Sequence, residues 1–189
     1  MTVFAVLAED RSDAETLDVL VKRIGGERIS RVHSRGFGGC GELCRKAGAH
    51  IELFSKQGAT HFIICHDSDG NDPSMIRDKV RSSVGAKIDL KRVNHEIIVP
   101  VEELEAWIIA DEAAIKKAVP TLSIPKTRHP ETIKNPKEWL INQSRGSRSR
   151  PLYAPATFNR RVAEHIDIAK VEQKCPSFLE LTMLVRSAP

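Results

Sequence analysis

Apolar residues in the first part of the chain alternate between short continuous runs and helical spacing. The runs Val3–Ala8, His61–His66 and His95–Val101 have the length of buried strands, and each ends in turn residues or acids. Between them, apolar residues three and four positions apart predict amphipathic helices. The pattern predicts an α/β fold with a mostly parallel sheet and helices on both faces.

One further strand and five helices complete the predicted order. Arg28 to His33 alternates polar and apolar residues, as a half-buried strand does. Ser12 followed by Glu15 has the spacing of a helix cap, and Pro73 suits a first helical turn. The predicted helices span Ser12–Ile24, Glu42–Gln57, residues 74–83, Glu102–Asp111 and Glu112–Val119.

The character of the chain changes after Pro120. Prolines recur up to Pro151, and long apolar runs are scarce, so only short helices fit, one of them near residues 137–142. We predict an α/β domain over residues 1–119 and a loop-rich helical C-terminal lobe over residues 120–189 that packs on it.

Composition narrows the class of protein. The 189 residues are 41% hydrophobic and 29% charged, which is enough to form a core and argues against bulk disorder. A net charge of +4 is a mild bias toward polyanionic partners. No secretory signal or membrane-length apolar run is evident, and four cysteines do not make a disulfide framework at this size. We predict a cytoplasmic protein without a membrane partner.

Acids follow two of the predicted strands. Glu9 comes directly after the first, and Asp67 and Asp69 come after the strand that begins at His61. In an open α/β sheet these strand ends border the ligand crevice. If the chain stays extended, Asp67 and Asp69 point the same way and can share a cation, and oxygen ligands suit Mg²⁺ or Mn²⁺. The alternative is an Asp-Gly turn whose carboxylates bond local backbone N–H groups.

Glu9 and the Asp67-x-Asp69 pair resemble the Toprim domain, which is shared by topoisomerases, bacterial primases, small maturation ribonucleases and OLD-type nucleases. The resemblance covers about residues 1–110. It implies that the acids bind Mg²⁺ and that Glu9 serves as general acid or base in phosphoryl transfer. One departure is Asp10, where the family commonly has Gly. Residues 103–111, with Asn135-Pro136-Lys137, look like a small Toprim-like family often encoded beside ABC-type ATPases in phage-defence loci.

Three glutamates follow the fourth predicted strand, at positions 102, 103 and 105. Acids in a first helical turn are favourable with the helix dipole, which accounts for at least two of them. The family context favours Glu105 as a further metal ligand. On the predicted helix, Glu102 and Glu105 share one face, and Trp107 is a core residue.

The segment 134–161 is strongly basic and could bind the phosphates of DNA or RNA. Its alternative is a solvated loop. The candidate nucleic-acid-binding residues are Lys134, Lys137, Arg145, Arg148, Arg150, Arg160 and Arg161.

Two other groups of residues are weaker candidates for a binding site. Gly36-Phe37-Gly38-Gly39-Cys40-Gly41 fits the dinucleotide-loop pattern, but it follows the second strand, so a flexible loop or a phosphate entrance fits better. Cys40 and Cys44 have zinc spacing, yet no second matched pair follows. His66 could contact substrate or pack against the sheet.

The sequence as a whole predicts a Mg²⁺- or Mn²⁺-dependent nuclease, and the resemblance to the Toprim-like family implies a role as the effector of an anti-phage defence system. Glu9, Asp67 and Asp69 would be catalytic and metal-binding, with Glu105 as an additional ligand. One alternative is a regulatory Toprim-like partner subunit of an ABC-type ATPase. A receiver-like signalling domain fits less well, because Val99–Glu102 replaces the expected hydroxyl residue.

Overall fold

The computed structural model describes residues 1–145 and 149–189, and within them four parallel strands form one sheet. The strands are β1 (Thr2–Ala8), β2 (Ile29–Gly36), β3 (His61–Cys65) and β4 (His95–Ile98), in the order β2-β1-β3-β4. The central strands β1 and β3 are almost wholly buried and apolar, as parallel strands covered on both faces must be. The predicted α/β fold is confirmed.

Helices connect the strands and continue after the last one. None in the described ranges has both the length and the apolar character needed to cross a membrane. Short 3-10 turns occur at residues 26–28, 90–92 and 130–132. The helices are α1 (Arg11–Gly25), α2 (Cys40–Lys56), α3 (Pro73–Gly85), α4 (Glu105–Ile109), α5 (Glu112–Ala118), α6 (Pro136–Arg145), α7 (Pro155–Ala163), α8 (Ile168–Lys174) and α9 (Pro176–Ser187).

The sheet separates two hydrophobic clusters. Successive side chains of a strand point to opposite faces, so Leu7 and Ile64 belong to the cluster that includes α2 and α3. Val6 and Ile63 belong to the other cluster, which includes α1 and the helices that follow β4. Helices therefore cover both faces, as predicted.

The C-terminal helices share the core of the α1 face. Trp107 in α4 is fully buried, its Nε1–H donates to Ser177 Oγ (2.8 Å), and its ring meets Phe178 edge-on at 5.1 Å between centroids. Both α7 and α9 pack against α1. This is the helical C-terminal lobe that the sequence predicts, whereas the domain boundary at residue 119 stays a prediction.

Three predicted boundaries are wrong. Helix α1 begins at Arg11 because Asp10, not Ser12, caps it: Asp10 Oδ1 accepts from the Asp13 N–H (2.9 Å). β4 ends at Ile98. The predicted helix from Glu102 begins only at Glu105, because Glu102 has a φ of 61° and its N–H donates to Ser68 Oγ (2.7 Å). Glu102 and Glu105 thus do not share a helical face.

Candidate functional site

Glu9 and Asp67 meet at the C-terminal end of the sheet. Glu9 follows β1 and Asp67 follows β3, and these two strands are hydrogen-bonded neighbours. The Asp67 N–H donates to Glu9 Oε1 (2.9 Å), while Asp67 Oδ1 accepts from the Leu104 N–H (3.0 Å). The structure therefore brings together two of the predicted site residues, with Asp67 held from both sides.

Asp69 occupies a different position from the one predicted. β3 ends at Cys65, and Asp69 has a φ of 47°, so the chain is no longer extended between Asp67 and Asp69. The Asp69 side chain is exposed, and its N–H donates to the Glu102 carbonyl oxygen (3.0 Å). The extended backbone that would align the two carboxylates is therefore absent, although Asp69 is close enough for its charge to act on Asp67.

Two buried carboxylates complete the group. Glu105, the first residue of α4, is 1% exposed, and Asp13, in the first turn of α1, is 6% exposed. The Asn159 side-chain amide donates to Glu105 Oε1 (3.0 Å), and the Tyr153 hydroxyl donates to Asn159 Oδ1 (2.8 Å). Sequence reasoning missed Asp13 as a site residue. Its signal was an acid in the first turn of a helix that starts where a strand ends.

These acids are buried or partly buried and lie close to one another, so both desolvation and mutual repulsion disfavour their charged forms. Burial, with the nearby charges of Asp10 and Glu105, raises the pKa of Asp13 to about 8. Burial and the charges of Asp13 and Glu105 raise the pKa of Asp67 well above its ordinary value. Burial also raises the pKa of Glu105, although Lys137 and Asn159 act against it. Such shifted acids in one place are typical of functional sites.

Lys137, on α6, is the cation that lies among these acids. Its Nζ is 3.6 Å from Asp10 Oδ2 and 3.9 Å from Glu105 Oε1, and its backbone N–H donates to Glu103 Oε2 (2.8 Å). Burial lowers the pKa of Lys137, but the surrounding acids outweigh burial and raise it overall. Nucleic-acid binding by Lys137 stays a prediction, and the contacts that it makes in the structure are with the acids.

A glycine-rich turn brings Cys40 to the same end of the sheet. A Cβ on Gly36 would lie 2.3 Å from the backbone of Asp10 and Arg11, so only glycine allows β2 to end so close to α1. Gly39, with a φ of 97°, precedes α2, and its N–H donates to the Glu9 carbonyl oxygen (2.9 Å). The turn therefore has a packing role and fixes the start of α2 beside Glu9.

Glu9, Cys40 and His66 form a compact set of metal-ligating groups. One ligand atom from each residue lies within 4.8 Å of the others. Within residues 1–145 and 149–189, this is the one group of at least three metal-ligating side chains that lie so close together. His66 Nδ1 is 2.9 Å from Glu9 Oε1 and 2.6 Å from the Asp67 carbonyl oxygen. Burial lowers the pKa of His66, but these two hydrogen bonds outweigh it and raise the pKa overall. A thiolate does not suit Mg²⁺, so this set is distinct in chemistry from the carboxylates.

The other predicted basic residues lie at the surface. Lys134, Arg145, Arg150, Arg160 and Arg161 are exposed, while Arg148 lies outside the described residues. Arg160 and Arg161 are on α7, immediately after the buried Asn159 that bonds Glu105. The guanidinium of Arg161 lies 5.6 Å from the Phe158 ring centroid. The exposed Arg160 and Arg161 therefore lie within one helical turn of Asn159, which contacts Glu105.

The raised pKa of Asp13 predicts that the unfolding free energy falls as pH rises. Above the unfolded pKa, the folded state holds a proton that the unfolded state has lost, so stability declines until pH passes about 8. Each unit of pKa difference is worth about 1.4 kcal/mol. We expect Asp13→Asn to raise the unfolding free energy at pH 8.5 by roughly 2 kcal/mol without added metal, and by less at pH 5.

Urea unfolding at the two pH values, in the presence of a chelator, measures this difference. The control is Asp18→Asn, which changes an acid on the same helix that pairs with Lys22 (2.9 Å). Equal stability of Asp13→Asn and the unmodified protein at pH 8.5 would contradict the proposed repulsion.

A family model described as "Domain of unknown function (DUF4276)" matches residues 8–184, so the chain belongs to that family. The match includes the acids, the glycine-rich turn and nearly all of the C-terminal helices. No curated protein and no solved structure matches the chain significantly.

Proposed function

We propose that this member of the DUF4276 family is a Mg²⁺- or Mn²⁺-dependent nuclease that hydrolyses phosphodiester bonds of DNA or RNA. The observation that carries the proposal is the group of crowded carboxylates around Asp67 at the C-terminal end of a parallel sheet. Asp13, Asp67 and Glu105 all have raised pKa values there. Lys137 does not offset so many acids, whereas a divalent cation would.

The donor atoms fit such a cation. Carboxylate oxygens are the ligands that Mg²⁺ and Mn²⁺ prefer, and the Leu104 N–H bonds Asp67 through Oδ1, with no hydrogen bond to Oδ2 from residues 1–145 or 149–189. Glu9, Asp67 and Asp69 would hold the cation, with Glu105 as a further ligand. When bound, the cation supplies charge stabilisation at the phosphate and lowers the pKa of an attacking water.

Hydrogen bonds within the protein orient Asp67 and Glu9 for this chemistry. Leu104 N–H fixes one oxygen of Asp67, and Asp67 N–H in turn fixes Glu9. The imidazole of His66 donates to Glu9 as well. Glu9 is therefore oriented by two donors, as a general acid or base must be if it is to meet the reacting oxygen in one geometry.

Helix α7 would connect the reaction site to the nucleic-acid backbone. Its buried Asn159 donates to Glu105, while the next two residues, Arg160 and Arg161, point into solvent. A phosphate chain bound by these arginines would pass close to the acids. Lys134, Arg145 and Arg150 would extend the basic track, because phosphate contacts depend on accumulated positive charge. We place this activity in the cytoplasm, in an anti-phage defence setting.

The second candidate is a Toprim-like partner subunit of an ABC-type ATPase. It is favoured by Lys137, which already lies 3.6 Å from Asp10 and 3.9 Å from Glu105. A lysine that partly neutralises the acids would suit a structural or regulatory role. Both distances are long for a charged hydrogen bond, however, and they leave most of the carboxylates unmatched.

The test is cleavage of labelled single- and double-stranded DNA and RNA by the purified protein. We expect products with Mg²⁺ or Mn²⁺ and none after the metal is removed with a chelator and replaced by Ca²⁺ or no ion. Activity that survives chelation would contradict the metal-dependent proposal. Cleavage that requires an added ATPase would support the partner-subunit role instead.

A further inference from the structure

We propose that Glu9, Cys40 and His66 form a second cation site, selective for thiophilic divalent metals of the Zn²⁺ class. The three ligand atoms lie within 4.8 Å of one another. Around a tetrahedral zinc ion, with bonds of about 2.0 to 2.3 Å, ligand atoms lie roughly 3.5 Å apart. Closing the set around an ion requires side-chain rotation, because the His66 nitrogen that contacts Glu9 is Nδ1 (2.9 Å from Oε1), whereas the nitrogen free to bind a metal is Nε2.

The hydrogen bonding of His66 prepares its ring for a metal. A backbone carbonyl can only accept, so the contact of 2.6 Å with the Asp67 oxygen places the proton on Nδ1. In the neutral ring, Nε2 then carries a free electron pair. Nε2 is buried and has no hydrogen-bond partner, and His66 as a whole is only 4% exposed. A metal-binding histidine typically donates its other ring N–H to a carboxylate or a carbonyl, as His66 does here.

Cys40 adds the ligand that determines selectivity. It is the first residue of the 17-residue helix α2, which begins beside Glu9. Gly39 and Gly41 flank it and carry no side chains that could obstruct the sulfur. Sulfur and imidazole ligands favour Zn²⁺ over Mg²⁺, which keeps the site chemically separate from the carboxylates around Asp67.

Glu9 links the two sites. It accepts from the Asp67 N–H and from His66 through the same oxygen, Oε1. An ion held by Cys40 and His66 would take Glu9 away from the acids beside Asp67. If the proposed nuclease function holds, thiophilic metals would inhibit cleavage by this competition. Binding itself does not depend on that function.

Cobalt provides a direct readout of thiolate coordination without any substrate. We would titrate Co²⁺ into the reduced, metal-free protein and record the thiolate-to-cobalt charge-transfer absorption. We expect the band in the unmodified protein, its displacement by stoichiometric Zn²⁺, and no displacement by a large excess of Mg²⁺. Cys40→Ser should weaken Co²⁺ binding by about 100-fold and remove the band.

Cys44→Ser is the matched control, because Cys44 lies one turn further along α2 and is absent from the three-residue set. It should leave the band unchanged. Alkylation of Cys40 in the unmodified protein, followed by mass spectrometry, gives a second measurement that needs no variant, and Zn²⁺ should slow it at least tenfold. Absence of the band, its persistence in Cys40→Ser, or alkylation that Zn²⁺ does not slow would each overturn the proposal. A cleavage result of either kind would leave these binding outcomes intact.

Discussion

Replacing Asp67 with asparagine should lower the rate of nucleic-acid cleavage about a thousandfold at saturating substrate if the proposed nuclease function holds, since a metal ligand's charge is worth several kcal/mol to the transition state. Asparagine keeps an oxygen that can accept from the Leu104 N–H, as Asp67 Oδ1 does at 3.0 Å. The change therefore removes a charge and preserves the local structure. Burial and neighbouring acids already raise the pKa of Asp67, so the apo fold should be as stable as before or more so.

The control for Asp67→Asn is Asp78→Asn on α3. Asp78 has a side chain that is 74% exposed and forms a surface ion pair with Arg81. Its loss should leave cleavage unchanged. Single-turnover rates with excess enzyme separate the chemical step from binding. If Asp67→Asn retained more than a tenth of the rate, the acids around Asp67 would not be the reaction centre.

Arg160→Gln should weaken nucleic-acid binding and largely preserve the cleavage rate, which is the opposite of the effect expected for Asp67→Asn. If Arg160 contacts a phosphate, its loss should weaken binding across all sequences and reduce the slope of log affinity against log salt by about one unit. The rate at saturation should change much less, because such a contact stabilises ground and transition states alike. Normal binding at every salt concentration would show that α7 presents its arginines to something other than nucleic acid.

The largest expected effect on folding comes from Trp107→Ala, which should lower the unfolding free energy by about 3–5 kcal/mol. Trp107 is fully buried in α4, and its ring packs edge-on against Phe178 in α9. Its Nε1–H is the donor to Ser177 Oγ (2.8 Å). Removing the ring leaves a cavity between the residues that follow β4 and the last helix. Urea unfolding followed by circular dichroism measures the loss.

Trp139→Ala is the matched control for Trp107→Ala. Trp139 is the second of the two tryptophans in the chain, and it is only partly buried in α6. Its removal should cost about 1 kcal/mol. Trp107→Phe keeps an aromatic ring but removes the hydrogen-bond donor. Its loss of unfolding free energy should fall between those of Trp107→Ala and Trp139→Ala. A loss of similar size for Trp107→Ala and Trp139→Ala would mean that α4 and α9 are not coupled as the packing indicates.

The fold was largely predictable because it rests on local apolar patterns. The runs at β1 and β3 are long enough, and apolar enough, to indicate central strands of a parallel sheet. The predicted start of α4 failed because it depends on a contact between distant segments. Glu102 lies outside α4 because it bonds Ser68, which is 34 positions earlier, and no local pattern contains that contact.

The candidate site was only partly predictable for the same reason. Glu9 and Asp67 follow neighbouring strands, so topology alone brings them together. Asp13 and Lys137 join them from α1 and α6. Judged from the sequence alone, an acid and a lysine at these helix positions would be ordinary surface residues. Cys40 reaches Glu9 through a turn that depends on Gly36 approaching the backbone of Asp10, a contact between segments far apart in sequence.

Tyr153 gives the acids a spectroscopic reporter. It is the only tyrosine in the chain, it is 1% exposed, and its hydroxyl is joined to Glu105 through Asn159. Burial raises the pKa of Tyr153 well above its ordinary value, so the ring stays neutral across the range in which the acids titrate. In a tyrosine-labelled sample, one set of ring resonances would follow protonation or cation binding at Glu105. The two-residue relay thus allows the state of the carboxylates to be observed in solution without substrate and without altering any of them.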